Sequence, residues 1–176
     1  MAALLGWRLL AVAGTLAGVA GCSVKVHQVR ADAPQLMQEP AHVQLACDYR
    51  LQKVVDTRGS TDRAGGLGAH MFIFDDVPGA VRQQFARAGL DAQGSGPAVD
   101  ISILKFYLAQ NTTTKIPVAV YEVRVADRVP FTVRSQQASM NWNGTENEAY
   151  AAYSSALADA TAQVVSRLNA TCPKQE

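Results

Sequence analysis

The residues of this chain with chemistry to offer are three histidines, His27, His42 and His70, three cysteines, and a few clustered carboxylates. Nucleophilic catalysis needs a hydroxyl or thiol with a base in reach and a third group to orient that base. His27 and His42 fall in, or at the end of, a polar proline-containing stretch, so neither has a rigid setting. His70 precedes an apolar run and could be paired with Asp56, but a solvated or hydrogen-bonded structural role fits that position better. No G-x-S-x-G occurs, and Gly94-Ser95-Gly96 reads as a turn. No C-x-x-C, H-x-x-x-H or calcium-loop spacing is present, and Asp75-Asp76 reads as helix capping. Gly65-Gly66-Leu67-Gly68 lacks the lysine and the strand–turn–helix setting of a phosphate loop. The expectation is therefore a non-enzyme with no catalytic residue, no metal site and no cofactor.

Binding is better served. Asp56 and Arg58, two apart on a strand, share a face and could pair with each other or meet a partner's charge. Tyr107, Tyr121, Trp142, Tyr150 and Tyr153 gather in the later part of the chain. Tyr and Trp bury large areas while keeping a polar handle, which suits interaction surfaces. Tyr153 lies on a helical apolar stripe and reads as core. Tyr107 and Trp142, the latter between Asn141 and Asn143, are candidates for contact with a partner. Lys+Arg and Asp+Glu number 16 and 15, for a formal charge of +1. Nothing there resembles the basic footprint that nucleic acid requires.

Stepping outward, the first 21 residues carry one charge, Arg8, followed by an apolar segment over 9–20. That segment is too short to span a bilayer, which takes about 20 residues, and has the shape of a secretory signal. Its end, Val19-Ala20-Gly21-Cys22, resembles a bacterial lipobox. The resemblance implies cleavage before Cys22 and acylation of its thiol, which would fasten the chain to a lipid bilayer. Stable anchoring needs more than one acyl chain. Ser23 rather than Asp follows the cysteine, which implies the outer membrane, facing the periplasm. With Cys22 acylated, Cys47 and Cys172 remain, an even number in an oxidising compartment. They either form a disulfide, the favoured reading, or stay as separate thiols.

The expected organisation is a signal peptide over 1–21, a lipid-anchored tether over 22–41 and one α+β domain over 42–176. Partial alternation predicts a strand over 42–51, and the glycines of 59–68 predict a flexible loop. A short apolar strand follows over 71–74. Val77, Val81, Phe85 and Ala88 recur at helical spacing, with Asp75 and Asp76 as caps and Gly89 closing the helix. Residues 99–110, 118–126 and 129–142 predict a three-strand meander. In the first of these the apolar parity shifts after Ile103, which a bulge or a strand covered on both faces would explain. Thr145 and Glu148 form a capping-box pattern, opening a helix over 146–169. The order is β-β-α-β-β-β-α, an antiparallel sheet with two helices packed on one face.

The lipobox, Val54-Val55-Asp56-Thr57-Arg58, Ala88-Gly89-Leu90 and Val99-Asp100-Ile101-Ser102-Ile103 together resemble the YajG-like outer-membrane lipoproteins. The chain is also similar to the broader set of auxiliary envelope lipoproteins of transport systems. The resemblance implies a location and a fold, with an envelope protein as partner, and assigns no catalytic residue. The Cys47/Cys172 pair and the Met140-Asn141-Trp142-Asn143-Gly144 segment depart from that pattern. The functional expectation is a non-catalytic binding or scaffolding role. The alternatives are an accessory subunit of a transport or lipid-trafficking complex and, further off, a periplasmic hydrolase.

Overall fold

The computed structural model describes residues 23–39, 42–111, 114–136, 140–141, 143 and 145–172. Its elements are β1 (Lys25–Val29), a 3-10 turn (Pro34–Met37), β2 (Arg50–Asp56), β3 (Arg63–Leu67), β4 (His70–Phe74) and α1 (Val77–Arg87). They continue with β5 (Ala98–Asn111), β6 (Thr114–Val125), β7 (Phe131–Arg134), β8 (Met140–Asn141) and α2 (Glu146–Asn169). The strands form one mixed sheet in the order β1-β4-β3-β5-β6-β7. β2 also lies against β5, and β8 against β6. The α+β class stands.

The meander is antiparallel, as expected: Ile101 pairs with Val123, and Val123 with Phe131. The parity shift in β5 is a bulge between Ile103 and Lys105. It lets Val99, Ile101 and Ile103 on one side of it, and Phe106 and Leu108 on the other, all face the core. Elsewhere the sheet is mixed, which corrects the antiparallel expectation: β3 and β4 are antiparallel, but β1 runs parallel to β4, and β2 and β3 run parallel to β5. A two-residue hairpin can join only antiparallel neighbours, whereas parallel ones need a long crossover. Between β2 and β5 the chain passes through β3, β4 and α1, which together make that crossover.

Two further corrections concern segments read as structureless. Residues 25–29, expected within a tether, form a strand whose His27 and Val29 point inward. Five residues with two buried side chains suffice once β4 supplies the hydrogen bonds. Beyond it Leu36 is fully buried, and the Glu39 amide donates to Ser154 Oγ at 3.0 Å. The glycine-rich loop contains β3. Gly65 (φ +93°) lies so close to the Leu108 backbone that a Cβ would collide with the Leu108 carbonyl. The glycine there serves close strand approach, not flexibility.

The strand expected over 42–51 begins only at Arg50. The alternation before it is real: Val43, Leu45 and Cys47 pack partly against the core. Their backbone partners are not strands, however. Leu45 N–H donates to the Ala88 carbonyl and Ala46 N–H to Asn169 Oδ1, at the C-terminal ends of the two helices.

Both helices follow their sequence signals. Asp76 Oδ1 accepts from the Gly79 amide at 2.8 Å, and Gly89 (φ +86°) takes the left-handed turn after α1. The capping box of α2 is complete. Its stripe of Tyr153, Leu157, Ala160, Val164 and Leu168 is buried with Val77, Val81 and Phe85 of α1 against one face of the sheet. Tyr153 meets Phe106 with ring centroids 5.3 Å apart and Phe74 edge-on at 5.6 Å. Its hydroxyl donates to the Ala64 carbonyl at 2.6 Å, which ties α2 to β3.

Candidate functional site

Asp56 ends β2, and Arg58 follows in the turn. They do pair: Arg58 Nε donates to Asp56 Oδ1 at 2.8 Å and Nη2 to Oδ2 at 2.6 Å. The rest of the fork is occupied as well. Nη1 donates to the carbonyls of Arg63 and Phe106, and Nη2 to that of Thr61. Their side chains are only 6% and 10% exposed, for Arg58 and Asp56 respectively. This is a clamp joining β2, the following loop and β5. It has no donor left for a partner, so the structural alternative accounts for the pair. It also engages Asp56, the carboxylate that the sequence offered as a pair for His70.

Tyr107 lies on β5, half-buried and opposite Val118. It lines a shallow cleft with Arg58, Arg63, Leu104 and Lys105, so the fold brings Tyr107 near Arg58. Trp142 and Cys22 lie outside the described residues. Cys47 and Cys172 are bonded to each other, with Cα atoms 5.8 Å apart.

His70 finds a different imidazole. His27 Nε2 lies 2.8 Å from His70 Nδ1, and His27 Nδ1 lies 3.3 Å from Glu146 Oε1. Strand register explains the meeting: β1 runs beside β4, with Lys25 opposite His70 and His27 opposite Phe72, on which His27 stacks. A carboxylate accepts and cannot donate, so His27 Nδ1 is the donor to Glu146, while the bond between the two imidazoles joins His27 Nε2 to His70 Nδ1 with a direction set by their tautomers. These contacts pin β1 to β4 and to the start of α2. The sequence reading missed them because it placed His27 in a tether.

The disulfide organises a second cluster that the sequence did not reveal. Tyr49, two residues after Cys47, has its hydroxyl 2.8 Å from Thr171 Oγ1, next to Cys172. The Thr171 hydroxyl donates to the Leu168 carbonyl at 2.7 Å, so Tyr49 is the donor in the pair. Arg128, on the β6–β7 turn, donates from Nη1 to Thr171 Oγ1 at 2.6 Å and to the Tyr49 hydroxyl at 3.2 Å. Arg167 of α2 places its guanidinium carbon 5.1 Å from the centre of the Phe131 ring. Between the two arginines opens a cleft of about 240 Å³ floored by Val125, Phe131 and Leu168. Val129, 88% exposed, stands at its mouth. Among the described residues no carboxylate lines it. The hint in the sequence was an apolar valine stranded between Arg128 and Pro130 in a turn that otherwise reads as solvent-facing.

Among the described residues no group of histidine, cysteine and carboxylate side chains has the geometry to hold a metal ion. No helix among them is long and apolar enough to cross a membrane. Comparison with known protein families and with curated proteins finds no match to either.

Proposed function

We propose that this chain is a lipid-anchored binding domain of the bacterial envelope, held at the outer membrane through acylated Cys22, with a non-catalytic binding or scaffolding role. The observation that carries the reading is the cysteine pairing. The chain has three cysteines, and Cys47 and Cys172 bond to each other. Cys22, at the end of the lipobox-like stretch, is therefore the thiol left for acylation. A bond between residues 125 positions apart also suits an oxidising compartment. The resemblance to YajG-like lipoproteins points the same way.

The position of β1 adds a geometric consequence. Lys25 begins the sheet three positions after Cys22, and three residues span at most about 10 Å. An acylated Cys22 therefore seats the folded body on the headgroups with almost no spacer. The start of β1 and the turn between β3 and β4 are the parts nearest the bilayer.

Substituting Cys22→Ser tests this. The parent should carry diacylglyceryl mass on Cys22 and fractionate with outer membranes, and the variant should fractionate as a soluble or inner-membrane-retained precursor. An unmodified parent, or a variant still in the outer-membrane fraction, overturns the reading. The second reading, an accessory subunit of a transport or lipid-trafficking complex, draws on the cleft between Arg128 and Arg167. A stoichiometric partner recovered by crosslinking in the intact envelope would support it.

A further inference from the structure

We infer that the cleft between Arg128 and Arg167 is a binding site for an amphiphilic monocarboxylate: an anionic head on an apolar body, about ten non-hydrogen atoms in all. The inference concerns a surface formed by β6, β7 and α2, and it does not depend on acylation of Cys22.

Among the described residues, no ion pair compensates the charge of Arg128 or Arg167. Arg128 makes its side-chain hydrogen bonds from Nη1 to two neutral hydroxyls. Its Nε and Nη2, the edge that grips a carboxylate with two parallel bonds, have no partner among the described residues. Arg167 engages the Phe131 ring, and among the described residues it forms no ion pair. Neither neighbouring acid lines this cleft or bonds to either guanidinium: Asp127 is outside the lining, and Asp48, which shares a second cleft with Arg128 and keeps its charge, is bonded to the amide and hydroxyl of Ser95.

One force opposes an anion here, because the cleft adjoins the C-terminal end of α2. That end carries the equivalent of roughly half a negative charge, against two full positive charges on the arginines. The carbonyl nearest the cleft, Leu168, is already engaged by the Thr171 amide and hydroxyl. Two guanidiniums outweigh that helix end.

The walls set the rest of the ligand. Val125, Phe131 and Leu168 are hydrocarbon, and Val129 exposes an apolar side chain at the mouth. An inorganic anion would leave these surfaces unused, and a neutral hydrocarbon would leave two guanidiniums facing it. A cavity of about 150 Å³ accommodates benzene, so about 240 Å³ takes a body of about ten heavy atoms. The site is also preformed: Tyr49 and Thr171 hold Arg128, and the disulfide joins their two chain segments.

The test is titration of the full chain in nanodiscs with octanoate, 1-octanol and acetate, read by methyl NMR at Val125, Val129 and Thr171 with empty nanodiscs as control. Octanoate should shift these signals saturably, with 1-octanol and acetate at least tenfold weaker. Arg128→Gln or Arg167→Gln should weaken octanoate binding at least tenfold. Val129→Asp, at an exposed position that leaves the core untouched, should do the same while the rest of the spectrum is unchanged. Oleate binding as tightly as octanoate would identify membrane-length fatty acids as the natural source; much weaker oleate binding would identify short acids. Equal binding of octanoate and 1-octanol, equal binding of octanoate and acetate, or an unaffected Val129→Asp chain overturns the inference.

Discussion

The hydroxyls of Tyr49 and Thr171 lie 2.8 Å apart across 122 positions of sequence, and each residue sits within two positions of one half of the Cys47–Cys172 disulfide. The bond thus closes a long loop and fixes the seat of Arg128. Chain-entropy arithmetic assigns about 4–5 kcal/mol to a cross-link over a loop of this length. Urea unfolding should show a loss of that order for the Cys47→Ala/Cys172→Ala chain, with octanoate affinity falling several-fold before global unfolding. An unchanged midpoint would contradict the stabilising role.

The Asp56–Arg58 clamp makes a contrasting prediction. A lysine keeps the charge but cannot reproduce a fork that reaches Asp56 and three carbonyls at once. Arg58→Lys should cost about 2–3 kcal/mol by urea unfolding. Asp56→Ala should cost about 3–5 kcal/mol, since it leaves a buried guanidinium without its counter-charge. Octanoate binding should be unaffected in whatever fraction stays folded. A surface pair would lose less than 1 kcal/mol in either variant, and that result would refute the clamp.

Glu148 supplies the pH dependence. Burial by itself raises its pKa, but hydrogen bonds from the amide and hydroxyl of Thr145 and the amide of Asn143, with the Lys115 charge 3.6 Å away, bring it from 4.5 down to about 2. A carboxylate whose folded pKa is depressed stabilises the fold above its unfolded value, and that stability drains away as pH falls towards the folded value. Unfolding free energy should therefore drop by about 2 kcal/mol between pH 4.5 and 2. Glu148→Gln keeps the capping geometry but not the charge. It should show at pH 7 the stability that the parent has only after protonation, with this step missing from its acid titration. An undiminished step would assign the dependence to other carboxylates.

Much of this protein was legible where structure follows from neighbours in sequence. Both helices, their caps, the meander and the β5 bulge are set by periodicity and by groups within four residues of one another, so Asp76, Thr145, Glu148 and Gly89 announce themselves. The disulfide was legible for a different reason: with one cysteine ascribed to the anchor, two were left to pair. Asp56 and Arg58 could be seen to share a face, but not that the carbonyls of Thr61, Arg63 and the distant Phe106 consume the fork.

What the tertiary structure alone decided are relationships between segments far apart in the chain. Parallel pairing made a strand of the mixed segment 25–29 and brought His27 to His70. Close approach to Leu108 turned Gly65 from a loop signal into part of β3. Arg128 and Arg167 look like ordinary surface arginines in the sequence. They share a cleft because α2 packs across β6 and β7, and because the disulfide draws Tyr49 and Thr171 together beneath one of them. Local patterns encode hydrogen bonds that a segment makes with itself, whereas a site built from three segments exists only once burial of the core has fixed their distances.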